Sequence, residues 1–338
     1  MMVNNNLTER PCMKFIKRAT SAKMSGVTDG DILGLSKSRN NFFQVDVLNP
    51  TDTNLVFVAG MAEHKSTQMF EMRFQWHQIL LVLDGNITIQ DMDTGDIYRA
   101  SSNDLFYWPP GANMKMGGKF KAYFVRTPSM WRWLKTSEGK KSRLSLLKID
   151  NEILYPSSPP IEVRQDLIDE GKKLPRYKYK LIKYVKNALN TDTVEVDNLT
   201  EMPQDRWKQI DLINPSDTGT TVVCGIAEHP TETINPDVSY FWYHQTALII
   251  DGEMTIEDLE TGGVYKGCSG DLFYWPPGHR HHIGGKFKAF YVKTPVPLRW
   301  TISSDGKRVF DMLNLENETS YPYSPPDEIG VLPITNSD

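Results

Sequence analysis

The chain has 338 residues, 39% of them hydrophobic and 24% charged, with 42 acidic against 38 basic side chains and a net charge of −4. That composition is globular, with length enough for two ordinary domains, and no Lys/Arg block of the kind that tracks a phosphate backbone occurs, which argues against nucleic acid as a partner. The opening "MMVNNNLTERPCMKFIKR" lacks the apolar core of a signal peptide and no run approaches 18 apolar residues, so a cytoplasmic protein without membrane contact is expected.

In chain order, the first recognisable piece is "KFIK" (14–17), which returns as "KLIK" (180–183). "LNPTDT" (48–53) and "GMAEH" (60–64) return as "INPSDT" and "GIAEH" (225–229), both displaced by 165. The stretch "WHQILLVLDGNITIQDMDTGDIYRASSNDLFYWPPG" (76–111) then superposes without a gap on "YHQTALIIDGEMTIEDLETGGVYKGCSGDLFYWPPG" (243–278), displaced by 167, and the match runs on to Thr127-Pro128 and Thr294-Pro295. "YPSSPP" (155–160) and "YPYSPP" (321–326) close the repeats. A whole domain is therefore duplicated, since a solenoid has shorter and more numerous units. The boundaries are residues 11–165 for an N-terminal barrel, 166–178 for a charged linker and 179–338 for a C-terminal barrel.

Local signals in each half are for strands. "QILLVL" is an apolar run, Asp84-Gly85 signals a hairpin, and "NITIQ" alternates. "TGD" and "TGG" mark the next turns. "DLFYWPPG" reads as a strand stopped by Pro-Pro-Gly, because proline cannot donate to a ladder. "KFKAYFVRTP" and "KFKAFYVKTP" alternate again. The expectation is an all-β architecture of two tandem barrels with short flanking helices. Three well-separated cysteines, Cys12, Cys224 and Cys268, read as free thiols in a reducing compartment.

These motifs resemble the cupin superfamily, and the pair looks like a bicupin with two jelly-roll barrels. Gly270, Pro276, Gly278 and His281 occupy places in the family's second motif, G-x5-P-x-G-x2-H-x3-N, with Gly285 where the family often has Asn. The first motif is eroded: Gln245 (Gln78 in the first half) stands where the family has a carboxylate, and Ser239 and Phe241 stand about where it has two histidines. This layout is similar to the branch that includes the ethanolamine-utilisation Q-type cupins. The resemblance covers roughly residues 40–130 and 205–297, and it implies a fold more than a reaction.

The seven histidines are 64, 77, 229, 244, 279, 281 and 282. His64 with His229 and His77 with His244 are shared between the halves, whereas the last three follow only the second Pro-Pro-Gly. Imidazole suits Zn, Fe, Mn, Ni or Cu, and a glutamine oxygen adds a harder ligand. The candidate ligands for one divalent transition metal are His229, His244, Gln245 and His281. His244 and Gln245 are neighbours on a strand and face opposite ways, so one of the two is expected to fail. His279 shares a face with His281 and lies nearer the rim, while His282 points away. Glu228, Tyr243 and His279 are candidate catalytic groups: a general base, a phenolic proton donor and a rim histidine. The first half has Met114 for His281 and Ala112 for His279, so its barrel is expected to bind no metal. The alternative for the shared "AEH" and "HQ" pairs is a packing role common to both barrels. Tyr107, Trp108, Tyr274 and Trp275, identical between copies, read as barrel packing or a contact between halves.

The resemblance and the histidines together imply a metal-dependent bicupin enzyme acting on a small organic substrate in the C-terminal barrel, by oxygenation (a dioxygenase) or by metal-assisted elimination or isomerisation (a lyase or isomerase). The alternative is a non-catalytic small-molecule-binding or pathway accessory protein. Two barrels in one chain mimic a cupin dimer, so a monomer or a homodimer is expected.

Overall fold

The computed structural model describes residues 13–27, 41–48, 52–53, 58–74, 76–109, 112–127, 131–135, 141–146, 182–195, 208–213, 218, 222–236, 238–241, 243–294, 298–302 and 308–312. The 166–178 linker, the two proline-rich YPSSPP and YPYSPP segments, Cys12 and Trp242 lie outside them. Two ten-stranded sheets hold nearly all of these residues. The all-β tandem architecture expected from the repeat is the one observed.

The first sheet runs in the order Leu105–Trp108, His77–Asp91, Asn113–Thr127, Val58–Arg73 and Phe42–Leu48, antiparallel throughout these pairs. The second repeats the order with Leu272–Trp275, His244–Asp258, Phe287–Thr294, Val223–His229 and Lys208–Ile213. Strand alternation divides the apolar residues between two environments. Leu80 and Val82 point into the first barrel, while Ile79 and Leu81 join a cluster built from both halves. In the second half Ala247 and Ile249 point inward and Leu248 joins the shared cluster. Burial on both faces is why "QILLVL" reads as an unbroken apolar run.

The repeated "LFYW" is divided the same way. Tyr107 and Tyr274 sit in the shared cluster, and Trp108 and Trp275 line the barrel interiors. Both roles considered for the octet are therefore filled, by alternate residues. The two halves meet along this cluster, where Tyr123 Oη donates to Thr246 Oγ1 at 3.3 Å. Thr127 and Thr294, repeat counterparts, place their Oγ1 atoms 3.3 Å apart, so an approximate two-fold axis passes between them.

Two sequence expectations change. Asp84-Gly85 does not make a hairpin: His77–Asp91 is one bent strand, with a register shift between Val82 and Asp84. Gly85 has φ +81° and Gly252, its counterpart, φ +77°. A Cβ at Gly85 would meet the Lys119 carbonyl. A glycine in the left-handed region serves a bulge as well as a tight turn, so the dipeptide alone does not distinguish them. The chain reverses instead at Gly95 and Gly262, φ +84° and +73°, where Asp91 and Asp258 accept from the following backbone N–H groups.

The second change concerns "KFIK". Lys14–Ile16 pairs with Leu272–Tyr274 of the second sheet, and Lys183–Val185 pairs with Leu105–Tyr107 of the first. The halves thus exchange a strand. Each exchanged strand is followed by a left-handed residue, Arg18 or Asn187, and a short 3-10 turn, Ala19–Ser21 or Ala188–Asn190. The Arg18 and Asn187 N–H groups donate to Asp271 and Asp104, both at 2.6 Å. The true counterpart of "KFIK" is therefore "KYVK" (183–186), three residues beyond "KLIK". The run "KLIKYVK" carries the pattern twice, and pairing decides between the two. No helix among the described residues is long and apolar enough to cross a membrane.

Candidate functional site

The two histidine pairs shared by the halves do the same work in both barrels. His77 Nδ1 lies 2.7 Å from Tyr107 Oη and His244 Nδ1 lies 2.8 Å from Tyr274 Oη, both rings on the side facing the other barrel. Burial drives His77 down to about 3 and His244 down to about 4, so both are neutral. His64 Nδ1 approaches the Gly118 carbonyl at 2.8 Å, and His229 Nδ1 the Gly285 carbonyl at 2.7 Å. The packing role considered for the shared pairs is what these bonds describe.

His244 therefore does not join Gln245; the two occupy opposite faces of one strand. Glu228, proposed as a base, is also on the outer face. It accepts from Lys288 at 2.7 Å and from Thr193 at 2.8 Å. Burial pushes its carboxyl up, but those two bonds and nearby lysines hold it below the usual range. The parity of a strand whose Gly225 and Ala227 side faces inward sends residue 228 outward.

The inner face of the second barrel gathers Gln245, Trp275, His281, Ser239, Phe241 and Tyr243, all buried. Trp275 and His281 stack with centroids 5.4 Å apart and planes 22° apart, and the Phe241 ring closes against both at 5.7 and 5.2 Å. Tyr243 stacks on Phe241 at 5.6 Å. Ser239 is the cross-strand partner of His281. Gln245 Oε1, Trp275 Nε1, Ser239 Oγ and both ring nitrogens of His281 have no partner at hydrogen-bonding geometry among the described residues. Burial, reinforced by His279, pushes His281 down to about 3 against a smaller upward pull from the His279 backbone. His279 stacks beside it at 5.9 Å, with Nε2 3.3 Å from Asp258 and Nδ1 3.4 Å from Glu260 at the rim. His282 is half-exposed.

The first barrel shows what the second has changed. Met72, Trp76, Met114, Ala112 and Phe124 occupy the places of Ser239, Tyr243, His281, His279 and Tyr291. Four of the five replacements put a polar group where the first barrel has a purely apolar one, and the fifth exchanges an indole for a phenol. Trp76 Nε1 donates to Gln78 Oε1 at 2.8 Å and closes it; the second barrel has no indole there. Among the described residues Trp108 Nε1 lacks a partner as Trp275 Nε1 does, with Arg126 Nε as its one companion in the first barrel against Gln245 Oε1, Ser239 Oγ and the His281 ring nitrogens in the second.

Reading the sequence missed a buried charge inside each barrel. In the first, Arg126 donates to Asp46 at 2.8 Å and lies over the Trp76 and Phe124 rings. Burial pulls its guanidinium down while Asp46 pulls it up. In the second, Tyr291 donates to Asp211, Gln209 Nε2 also donates to Asp211 at 3.3 Å, and Lys293 Nζ lies 5.3 and 4.4 Å from the Tyr243 and Tyr291 ring centroids. Burial and Asp211 push the Tyr291 phenol well above its ordinary range. The signal was present: "VDVLNP" with "IDLINP" and "YFVRTP" with "FYVKTP" each set one charge into an apolar run at matching positions.

A metal centre of His229, His244, Gln245 and His281 is not assembled. Among the described residues no three His, Cys, Asp or Glu side chains come together in a way that holds a metal ion. His229 Nδ1 is engaged by the Gly285 carbonyl, its Nε2 lies 3.4 Å from Thr231 Oγ1, and the ring stacks on Phe287 at 5.9 Å. Gln245 and His281 remain, and one amide oxygen with one imidazole falls short of the three protein ligands of an open metal site. Ser239 and Phe241, in the places where the cupin resemblance puts histidines, add no ligand of that kind. An open depression of about 410 Å³ lined by Thr67, Met69, Asn86, Thr88, Gly118 and Lys119 belongs to the first barrel, away from this cluster.

The sequence matches no family model and no curated protein. Among solved structures the chain is similar to the putative glyoxylate-induced protein from Pseudomonas aeruginosa, with TM-score 0.55 and 11% identity over 90% of this chain and 97% of that one. It is also similar to protein Ylba from E. coli, of the DUF861 family, with TM-score 0.52 and 12% identity over 86% and 94%. A mutant of Bacillus subtilis oxalate decarboxylase aligns at TM-score 0.46 and 12% identity over 81% and 75%. At such identities the likeness is one of fold, the all-β tandem cupin fold.

Proposed function

We propose that the second barrel binds a small polar organic molecule directly through its side chains, with the first barrel as its sealed scaffold. One observation carries this reading. Gln245, Ser239, Trp275 and His281 turn unsatisfied polar atoms into an interior that the first barrel fills with methionines and closes with the Trp76–Gln78 bond. Each buried polar atom left without a partner costs about 1–3 kcal/mol, a cost that a bound molecule returns by completing the bonds.

The test is a ligand screen by NMR on the full chain beside His281→Met, which installs the residue of the first barrel. Small polar organic molecules are expected to perturb the Trp275 indole signal in the parent and to leave it unmoved in the variant. Equal responses would end the reading. A metal-dependent oxygenation, elimination or isomerisation would need ligands beyond Gln245 and His281. Elemental analysis of protein purified without a His-tag reads this directly: about one metal per chain, lost in a folded His281→Ala variant, would replace the proposal with that one.

A further inference from the structure

We infer that the molecule taken by the second barrel is neutral and planar, with a hydrogen-bond donor and an acceptor on neighbouring atoms, as in a simple amide or lactam. This rests on the reading of the second barrel as a binding site.

Gln245 and Trp275 are Cα partners on adjacent antiparallel strands, and both face inward. Gln245 Oε1 only accepts and Trp275 Nε1 only donates. Neither bonds the other. A molecule satisfying both must offer a donor to one and an acceptor to the other, side by side. A carboxylate offers acceptors alone and leaves Gln245 Oε1 facing another lone pair. An amidinium offers donors alone and leaves the indole N–H unanswered. A neutral imidazole at His281 adds one donor and one acceptor, so it fits the same mixed partner.

Shape and charge agree with this. Trp275 is stacked between Phe273 and His281, and His281 between Trp275 and His279, so the ring faces are covered and a partner meets the near-parallel, nitrogen-bearing edges. Among the described residues the inner face carries Lys293 and Asp211, with the buried Asp258 at its rim against His279. Lys293 lies against the Tyr243 and Tyr291 rings, and Asp211 receives Tyr291 and Gln209. These charges are opposite in sign and already engaged within the barrel.

The test uses isosteric probes that differ only in their hydrogen-bonding ends: benzamide, benzoate and benzamidine, with acetamide, acetate and acetamidine as smaller equivalents. Each is titrated into the full chain, with tryptophan indole signals followed by NMR in the parent, in Gln245→Met and in His281→Met. The amide is expected to bind at least about tenfold more tightly than either ion and to lose that preference in Gln245→Met. An ion that binds as well as the amide, with a response abolished by His281→Met, overturns the ligand class and leaves the site standing. No response to any probe, or the same response in the parent and His281→Met, overturns the site reading and the class with it.

Discussion

Trp76 Nε1 donates to Gln78 Oε1 at 2.8 Å, whereas the counterpart Gln245 Oε1 has no partner among the described residues. The difference is one residue: Tyr243 stands in the place of Trp76 and stacks on Phe241 instead. Among the described residues, that indole separates a sealed glutamine from an available one.

Tyr243→Trp should rebuild the sealing bond in the second barrel. Ligand binding is expected to fall at least about tenfold, while stability stays within about 1 kcal/mol, the gain from satisfying Gln245 Oε1 being offset by fitting a larger indole into a packed interior. Paired ligand titrations and urea unfolding curves check it; undiminished binding would show that Gln245 plays no part.

His281→Met exchanges a buried imidazole without hydrogen-bond partners for the thioether that the first barrel carries at Met114. Removing an unsatisfied polar group in favour of an apolar one of similar size is expected to stabilise the fold by about 1–3 kcal/mol and to abolish ligand binding. A variant less stable than the parent would show that His281 has a structural partner after all.

Arg126→Met strands Asp46 in an apolar interior. Breaking a buried ion pair from one side costs about 3–5 kcal/mol, while removing both members is often nearly neutral. Chemical denaturation of Arg126→Met, Asp46→Leu and the double variant should show the double variant recovering most of the loss. Additive losses would mean the two side chains act independently.

Acid should loosen the contact between the barrels. Burial holds His77 near 3 and His244 near 4, below the ordinary value of about 6.5 in an unfolded chain. Between those values and 6.5 the unfolded state binds protons that the folded state refuses, so stability present at neutral pH is lost as pH falls through that window. The loss is about 2 kcal/mol per histidine at pH 5. Unfolding midpoints at pH 7 and pH 5 measure it, and a His77→Gln/His244→Gln variant should flatten the slope by up to two protons.

The repeat, the all-β class and the asymmetry at Met114 and His281 were all legible, because each is a matter of residue order and strand period. The two-faced burial of "QILLVL" was legible as an apolar run, although its two destinations were not. Asp84-Gly85 was misleading because bulge and hairpin both require a left-handed residue at the glycine. The buried charges at Asp46, Arg126, Asp211 and Lys293 were readable only by laying the copies side by side and asking why an apolar strand tolerates a charge.

What the sequence by itself determined is therefore the duplication and which copy diverged. Side-chain alternation has a period of two, so the sequence also required His244 and Gln245 to face opposite ways, without saying which faced in. The tertiary structure decided that, since inside and outside are defined only once the strand is paired within a closed barrel and a second barrel covers its other face. It placed His244 against Tyr274 at the contact between halves and Gln245 beside Trp275 in the interior. The strand exchange belongs to the same class of fact, because partners as distant along the chain as Lys14 and Tyr274, or Lys183 and Tyr107, are chosen by packing and leave no local mark.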